Sequence, residues 1–323
     1  MHRNRSRLAT RVPGRVQPYA TALERRGIVA TYELHDRLLS NRASRRRFAR
    51  HHPVLNDVQR RIVAGLEAEG YAITTFEELV GDDRLREEIE RQAAQFIEKT
   101  EDALAREQTG DADPSLRRRA GKEFVVRRLS YGVEVGLDDP WLRAATSSRL
   151  LDIANAYLHL WSKLEYVDSW YSVPQREGAD RVASQLWHFD YDDKHLLKAF
   201  LYLVDVDAEA GPFEYVPGSQ PGGPLADIWP WKPMAGGRVS EEKVSARVPP
   251  EGVKTFTGPR GTMIFCNTSG LHRGGFTTAK PRVLSTATYC SPASLAALSE
   301  RNFRVTGVPA GGGLSPEASY ALS

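Results

Sequence analysis

From Tyr166 to Pro292 the chain runs in short β-type segments broken by glycine and proline: VDSWYSV, SQLWHF, LLKAFLYLVDV, FEYV, SARV, TMIFC and RVLSTATYC. Several short strands with turn signals between them predict a sandwich or a barrel. The N-terminal half has a different texture. Residues 55–69 place Leu55, Val58, Ile62, Val63 and Leu66 at helical spacing, and Gly70 follows as a stop. Tyr71–Thr74 reads as a short strand, residues 83–107 as a charged helix with Leu85, Ile89, Ala93, Phe96 and Ile97 on one side, and 109–115 as a loop. Asp139 and Pro140 open a further helix that runs to about Leu160. The expected fold class is therefore α+β, an α-helical N-terminal half packed on a β-core. The expected layout is a basic arm and helix at 1–50, a helical support region at 51–165, the β-core at 166–292 and a C-terminal tail at 293–323. Residues 221–250, rich in Pro, Gly and charge, interrupt the core and read as a lid.

Charge is distributed unevenly. Residues 1–50 hold thirteen Arg against Glu24, Glu33 and Asp36, or +10, and the net charge of +3 leaves −7 on the remainder. A basic arm is suited to an acidic partner, but an acidic body argues against a main domain built to grip phosphate backbones. Cys266 and Cys290 are too few for a disulfide framework, and neither sits in a CxxC zinc motif. No apolar run reaches the roughly 18 residues of a membrane span. The opening MHRNRSRLATRVPGR has no apolar signal core, so a soluble, cytoplasmic protein is expected.

Trp187-His188-Phe189-Asp190 is the strongest local feature. Strand alternation puts His188 and Asp190 on one face, a nitrogen and an oxygen ligand for a divalent transition metal. Further on, TMIFC leads into the glycine-rich bend that carries His272, and Arg282 opens the next strand. Each piece alone has a plain structural explanation; a lone His272 reads equally as a core histidine. Together, two His and one carboxylate make the triad that leaves positions open on Fe(II), and Arg282 is a forked cation suited to a buried carboxylate.

These strings, WHFD, KAFLYLVDVDAEAGPFEYVPGSQ, GTMIFCNTSGLHRGG and PRVLS, resemble the phytanoyl-CoA dioxygenase family of Fe(II)/2-oxoglutarate oxygenases. The resemblance covers residues 165–292 and, more loosely, the helices from 55 onward. It implies a double-stranded β-helix (jelly roll, cupin-like) with the metal at one mouth. His188, Asp190 and His272 would be the iron ligands, and Arg282 would pair with the distal carboxylate of 2-oxoglutarate. O2 would be the second cosubstrate, and a C–H bond of a small molecule would be hydroxylated or otherwise oxidised. Desaturation, ring closure and epimerisation share the same start. Asp190 retains the carboxylate that related halogenases replace with a small residue. The sequence departs from the family pattern at Gln220, where a His is common, at Gly274, where a hydroxyl residue is common, and at Leu284, where Ser or Thr is common. Secondary cosubstrate contacts must come from elsewhere, with Tyr202 and Gln185 as candidates.

Two other functional classes stay open at this stage. A nucleic-acid-directed oxygenase would use the basic arm, but residues 283–290 lack the second Arg such enzymes usually show. A non-catalytic binding relative would not need the intact triad and Arg282. A small-molecule partner with no membrane role is the main expectation, and the oligomeric state is open. His195 and Lys194 read as a loop near the mouth, exposed to solvent or touching substrate, and Arg127 and Arg128 as a solvated strand edge or, if one points inward, a contact for an anionic substrate. Trp170, Tyr171, Trp187 and Tyr191 read as an aromatic wall or as core packing.

Overall fold

Local chemistry sets the helices of the N-terminal half. The computed structural model describes residues 22–110, 116–119, 122–129, 132–176, 178–233, 237–294, 303–307 and 313–323. The arm before residue 22 and residues 111–115 of the predicted loop 109–115 lie outside them. Helices α1 (Ala22–Arg37) and α2 (Ser40–Arg50) precede α3 (Asp57–Glu69). Asn56 caps α3 reciprocally with Gln59, and Gly70 ends it in the left-handed region at φ 79°. A Cβ at Gly70 would collide with the Tyr215 hydroxyl, so space as well as conformation requires glycine there. Strand β1 (Tyr71–Thr75) and helix α4 (Phe76–Leu79) follow, then α5 (Asp83–Gln108), capped by the Asp82 side chain.

After β2 (Arg118–Arg119), β3 (Lys122–Arg127) and β4 (Val133–Gly136), the helix predicted from Asp139 to Leu160 is two helices, α6 (Pro140–Thr146) and α7 (Ser148–Leu158). The break has a local cause. Thr146 Oγ1 donates to Leu142 O and Ser147 Oγ to Ala144 O, and Ser147 takes an extended conformation.

The β-core is built from β5 (Lys163–Ser172), β6 (Leu196–Tyr202), β7 (Phe213–Tyr215), β8 (Lys254–Phe256), β9 (Thr262–Cys266), β10 (His272–Arg273) and β11 (Arg282–Cys290), with the short helix α8 (Glu241–Ser245) before β8. One sheet runs β1-β9-β6-β11-β5-β3-β2 and a second runs β10-β7-β8. His188 extends the second sheet by bridging to His272. The pairs β5–β11, His188–His272, β6–β9 and β7–β8 are all antiparallel and nest inside one another along the chain. That nesting is a double-stranded β-helix, the jelly roll the resemblance implies. Strand β12 (Phe303–Thr306) pairs in parallel with β4, and α9 (Pro316–Leu322) buries Ala318 and Ala321.

Alternation assigns the two faces of the large sheet. Leu197, Ala199 and Leu201 of β6, with Val283 and Ala287 of β11, join Ile62, Leu66, Ile89, Trp141 and Leu151 in the core under the helices. Phe200, Tyr202 and Leu284 face inward with Phe213, Tyr215, Phe256 and Ile264. Both faces are covered, which is why all nine residues of β11 are buried.

Arg127 corrects an expectation. It is not a solvated edge residue but only 5% exposed, and its Nε donates to Asp168 Oδ2 at 2.7 Å. Asp168 also accepts from Leu129 N, Ser169 N and the Tyr166 hydroxyl, so it ties β3 and the turn after it to β5. Arg128, likewise partly buried, pairs with Asp139 at 2.9 Å. Among the described residues no helix is long and apolar enough to cross a membrane.

Register shifts where Tyr166 and Leu164 oppose Thr288 and Tyr289, which leaves Glu165 as a bulge residue. Its Oε2 accepts from Cys290 Sγ at 2.9 Å and from Ser294 Oγ at 3.3 Å. Burial, then the nearby Asp192, push its carboxyl up to about 7. The unfolded carboxyl ionises near 4.3, so across a window of about pH 4 to 7 the unfolded state loses a proton that the folded state keeps. Stability from this group is therefore present at low pH and is lost as pH rises through 7. Glu165→Gln removes the penalty. The variant is expected to match wild type in urea unfolding at about pH 4 and to exceed it by about 1–3 kcal/mol at pH 8. An equal difference at both pH values would refute this.

Candidate metal centre

The small sheet brings His188 and His272 side by side. Each donates its backbone N–H to the other's carbonyl, at 2.9 and 3.0 Å, and the two rings lie 4.2 Å apart between centroids. Asp190 N donates to Thr268 O, which fixes the third residue against the loop that leads to His272. One ligand atom from each of His188, Asp190 and His272 lies within 4.8 Å of the other two. His272 Nε2 is 3.8 Å from Asp190 Oδ2.

Tautomers follow from the hydrogen bonds. His188 Nδ1 faces Leu186 O at 2.8 Å and His272 Nδ1 faces Gly270 O at 2.9 Å. A carbonyl only accepts, so each Nδ1 carries the proton and each Nε2 keeps a lone pair toward the cluster. Burial, then the neighbouring imidazole, push His188 down to about 3; burial pushes His272 down to about 4 against the pull of Asp190. Both rings are thus neutral at pH 7, as metal ligands must be. Burial works to raise the Asp190 carboxyl, but Lys198 and the two histidines outweigh it, so the net direction is down. Two neutral imidazoles and one carboxylate suit a divalent first-row ion with positions left open.

Like Lys122, whose charge reaches both histidines, Lys198 is a site residue missed in the sequence reading. Its Nζ is 2.5 Å from Asp190 Oδ2. The signal was present, because a lone Lys in LLKAFLYLV sits two and four residues before inward-facing Phe200 and Tyr202.

Arg282 opens β11 at 7% exposure. It donates from Nη1 to Gly211 O, while its buried Nε has no partner. Among the described residues no carboxylate lies within ion-pair distance of it. A Cβ at Gly274 would sit 3.6 Å from Arg282 Nη2, so the departure from a hydroxyl residue leaves space beside the guanidinium. Tyr202 is close enough to Arg282 for their charges to interact, but its hydroxyl proton is donated to Phe256 O at 2.7 Å. Gln185 is buried with Oε1 accepting from Val182 N at 3.0 Å, which closes the short turn Ala183–Gln185. That turn meets Gly274 through Ser184 O.

Two of the flanking aromatics are packing residues. Trp187 faces away from the triad, packing with Val216, Val244, Val248 and Leu271, and Tyr171 points outward to Glu101 on α5. Lys194 and His195 are not an exposed loop. Together with Arg45 and Asn41 they surround the buried Asp36, at 2.6, 3.0, 2.7 and 2.8 Å. Segment 221–250, in its described parts, is fastened over the ligand strand: Trp231 Nε1 donates to Asp190 O, and Val239 N donates to Trp187 O.

No family model matches this sequence, and no curated protein matches it. Solved structures do. The epimerase SnoN, crystallised with Fe3+, alpha ketoglutarate and nogalamycin RO, is 19% identical, with 79% of this chain and 91% of that one covered and a TM-score of 0.45. EctD from S. alaskensis, with 2-oxoglutarate and 5-hydroxyectoine, is 19% identical over 75% and 79%, at a TM-score of 0.48. HygX from Streptomyces hygroscopicus, with nickel, 2-oxoglutarate and hygromycin B, is 15% identical over 73% and 88%, at 0.42. The fold assignment rests on the nested strand pairs, not on these likenesses.

Tyr32 of α1 anchors the loop that follows Asp190. Its hydroxyl donates to Asp193 Oδ1 at 2.6 Å and accepts from Lys194 N at 3.0 Å, while Asp193 Oδ2 accepts from Ser291 N. Tyr32→Phe leaves those buried groups short of a partner, at a cost of about 1–3 kcal/mol. Amide exchange in residues 190–195 is expected to speed up more than elsewhere in the β-core. Unchanged exchange in that loop would show that α1 does not hold it.

Proposed function

We propose that this chain is a non-haem Fe(II), 2-oxoglutarate-dependent oxygenase acting on a small molecule, of the phytanoyl-CoA dioxygenase type, with hydroxylation as its most direct reaction. The observation that carries the reading is the pairing of a convergent His-Asp-His cluster with a deeply buried arginine that has no carboxylate partner. A buried guanidinium without an anion is costly, and its orphaned Nε fits a ligand that brings a carboxylate of its own.

On this reading His188 and His272 present Nε2, and Asp190 presents a carboxylate oxygen, to one Fe(II). Bound iron with 2-oxoglutarate and O2 supplies the chemistry: the cosubstrate is converted to succinate and CO2, and one oxygen atom enters a substrate C–H bond. The protein contributes placement, exclusion of water and charge. Arg282 receives the distal carboxylate of 2-oxoglutarate, with Gly274 leaving room beside it and Tyr202 offering its oxygen nearby. Phe200, Leu284 and Phe213 keep that end of the barrel apolar. The segment around Trp231 covers the Asp190 side.

The purified chain with Fe(II), 2-oxoglutarate and O2, without substrate, is expected to form succinate slowly, as uncoupled turnover. Asp190→Ala should abolish it. Arg282→Ala removes one partner of a buried charge pair worth about 3–5 kcal/mol, so the 2-oxoglutarate requirement should rise by about a hundredfold or more. Succinate formation that survives Asp190→Ala, or an unchanged requirement in Arg282→Ala, would refute the assignment. No succinate from the wild type would favour a non-catalytic binding role.

A further inference from the structure

The charged groups inside the barrel are not equivalent. Arg127 has Asp168, and Arg282 waits for an anion, but Lys198 is already engaged at the triad. The register of β6, with Lys198 opposite Thr288 and Cys266, puts this lysine on the inner face with Phe200 and Tyr202. Its side chain and that of Asp190 are 18% and 19% exposed. The carboxylate oxygen it holds is Oδ2, and that same oxygen faces His272 Nε2 at 3.8 Å. The ammonium therefore stands on the atom that completes the ligand set. An ammonium and a divalent ion sharing one oxygen in a partly buried site repel each other strongly.

We infer that Lys198 is the resident cation of the metal-free site, and that metal loading is an exchange of cations on Asp190 Oδ2. Without metal, Lys198 keeps Asp190 aimed at the two imidazoles, so the triad is assembled before the ion arrives. On loading, the divalent ion takes Oδ2 and the ammonium withdraws. Lys198 is a positioning residue that acts through Asp190, and it lowers the affinity of the site for metal. The inference rests on the reading of the triad as a metal centre.

A lysine that merely props up the fold and one that exchanges with metal differ in sign. Removing a structural lysine lowers stability with and without metal and leaves metal affinity equal or weaker. Removing an exchanging one lowers stability only without metal, where Asp190 is left unpaired, and strengthens metal binding. The test uses the full chain as wild type, Lys198→Met, Lys198→Gln and Lys198→Arg, titrated with Mn(II) and melted with and without it. Lys198→Gln keeps a polar partner for Asp190 and serves if Lys198→Met does not fold. The Met and Gln variants are expected to bind Mn(II) at least about tenfold more tightly, and Lys198→Arg to stay within about threefold of wild type. Their melting deficit should disappear at saturating Mn(II). Wild-type binding with equal or weaker binding by the Met and Gln variants, or a deficit that persists in saturating metal, overturns the exchange alone. If no form binds Mn(II), the triad is not a metal centre and the exchange falls with it.

Discussion

Two backbone hydrogen bonds between His188 and His272 organise this protein's candidate site. They join segments 84 residues apart into one edge of the small sheet, and they place both rings on the same side of it. The position of Asp190 follows, because one more alternation and a bond to Thr268 O return its side chain to the same face. The imidazole orientation follows as well. Each Nδ1 meets a carbonyl two residues before its own histidine, so the lone pairs on Nε2 point to a common place without help from any other side chain. Backbone geometry, more than side-chain packing, assembles the cluster.

Charge inside the barrel is spread over three places. Between the level of Arg282 and that of Lys198, Arg127 and Asp168 neutralise each other and tie β3 to β5. At the triad Lys198 balances Asp190. At the start of β11 Arg282 has no anion. The first two pairs are closed within the protein and the third is open, and an open buried cation is the strongest electrostatic sign of a ligand position in the fold.

The helical half supports the site from two directions. Helices α3, α5, α6 and α7 bury the outer face of the large sheet and hold its strands in register. Helices α1 and α2 reach the loop after Asp190 through Tyr32, Asp36 and Arg45. Asp36 gathers four donors from both sides of that contact; burial works to raise its carboxyl, and His195 and Lys194 bring the net direction down. Trp231 lies tilted against Tyr32, with ring centroids 5.2 Å apart, and also bonds Asp190 O, so segment 221–250 and the first helix meet over the same loop.

Much of this was legible in the order of residues. Alternation placed His188 and Asp190 on one face, the run of short strands called for a β-core, and Gly70 and Asp139-Pro140 marked helix ends through local signals that need no tertiary partner. What the sequence could not state is which side of a buried strand faces the barrel and which faces the helices. On β11 every residue is buried, so hydrophobicity has no period to read. For the same reason Arg127 passed for an edge residue, Lys194 and His195 passed for a solvated loop, and Lys198 was overlooked. Their partners, Asp168, Asp36 and Asp190, are met only when distant strands and helices pack, and a charge's environment is a property of that packing. The sequence by itself determined the fold class and which residues are candidate ligands. The tertiary structure decided which charges are paired, because pairing depends on distance through space and not along the chain.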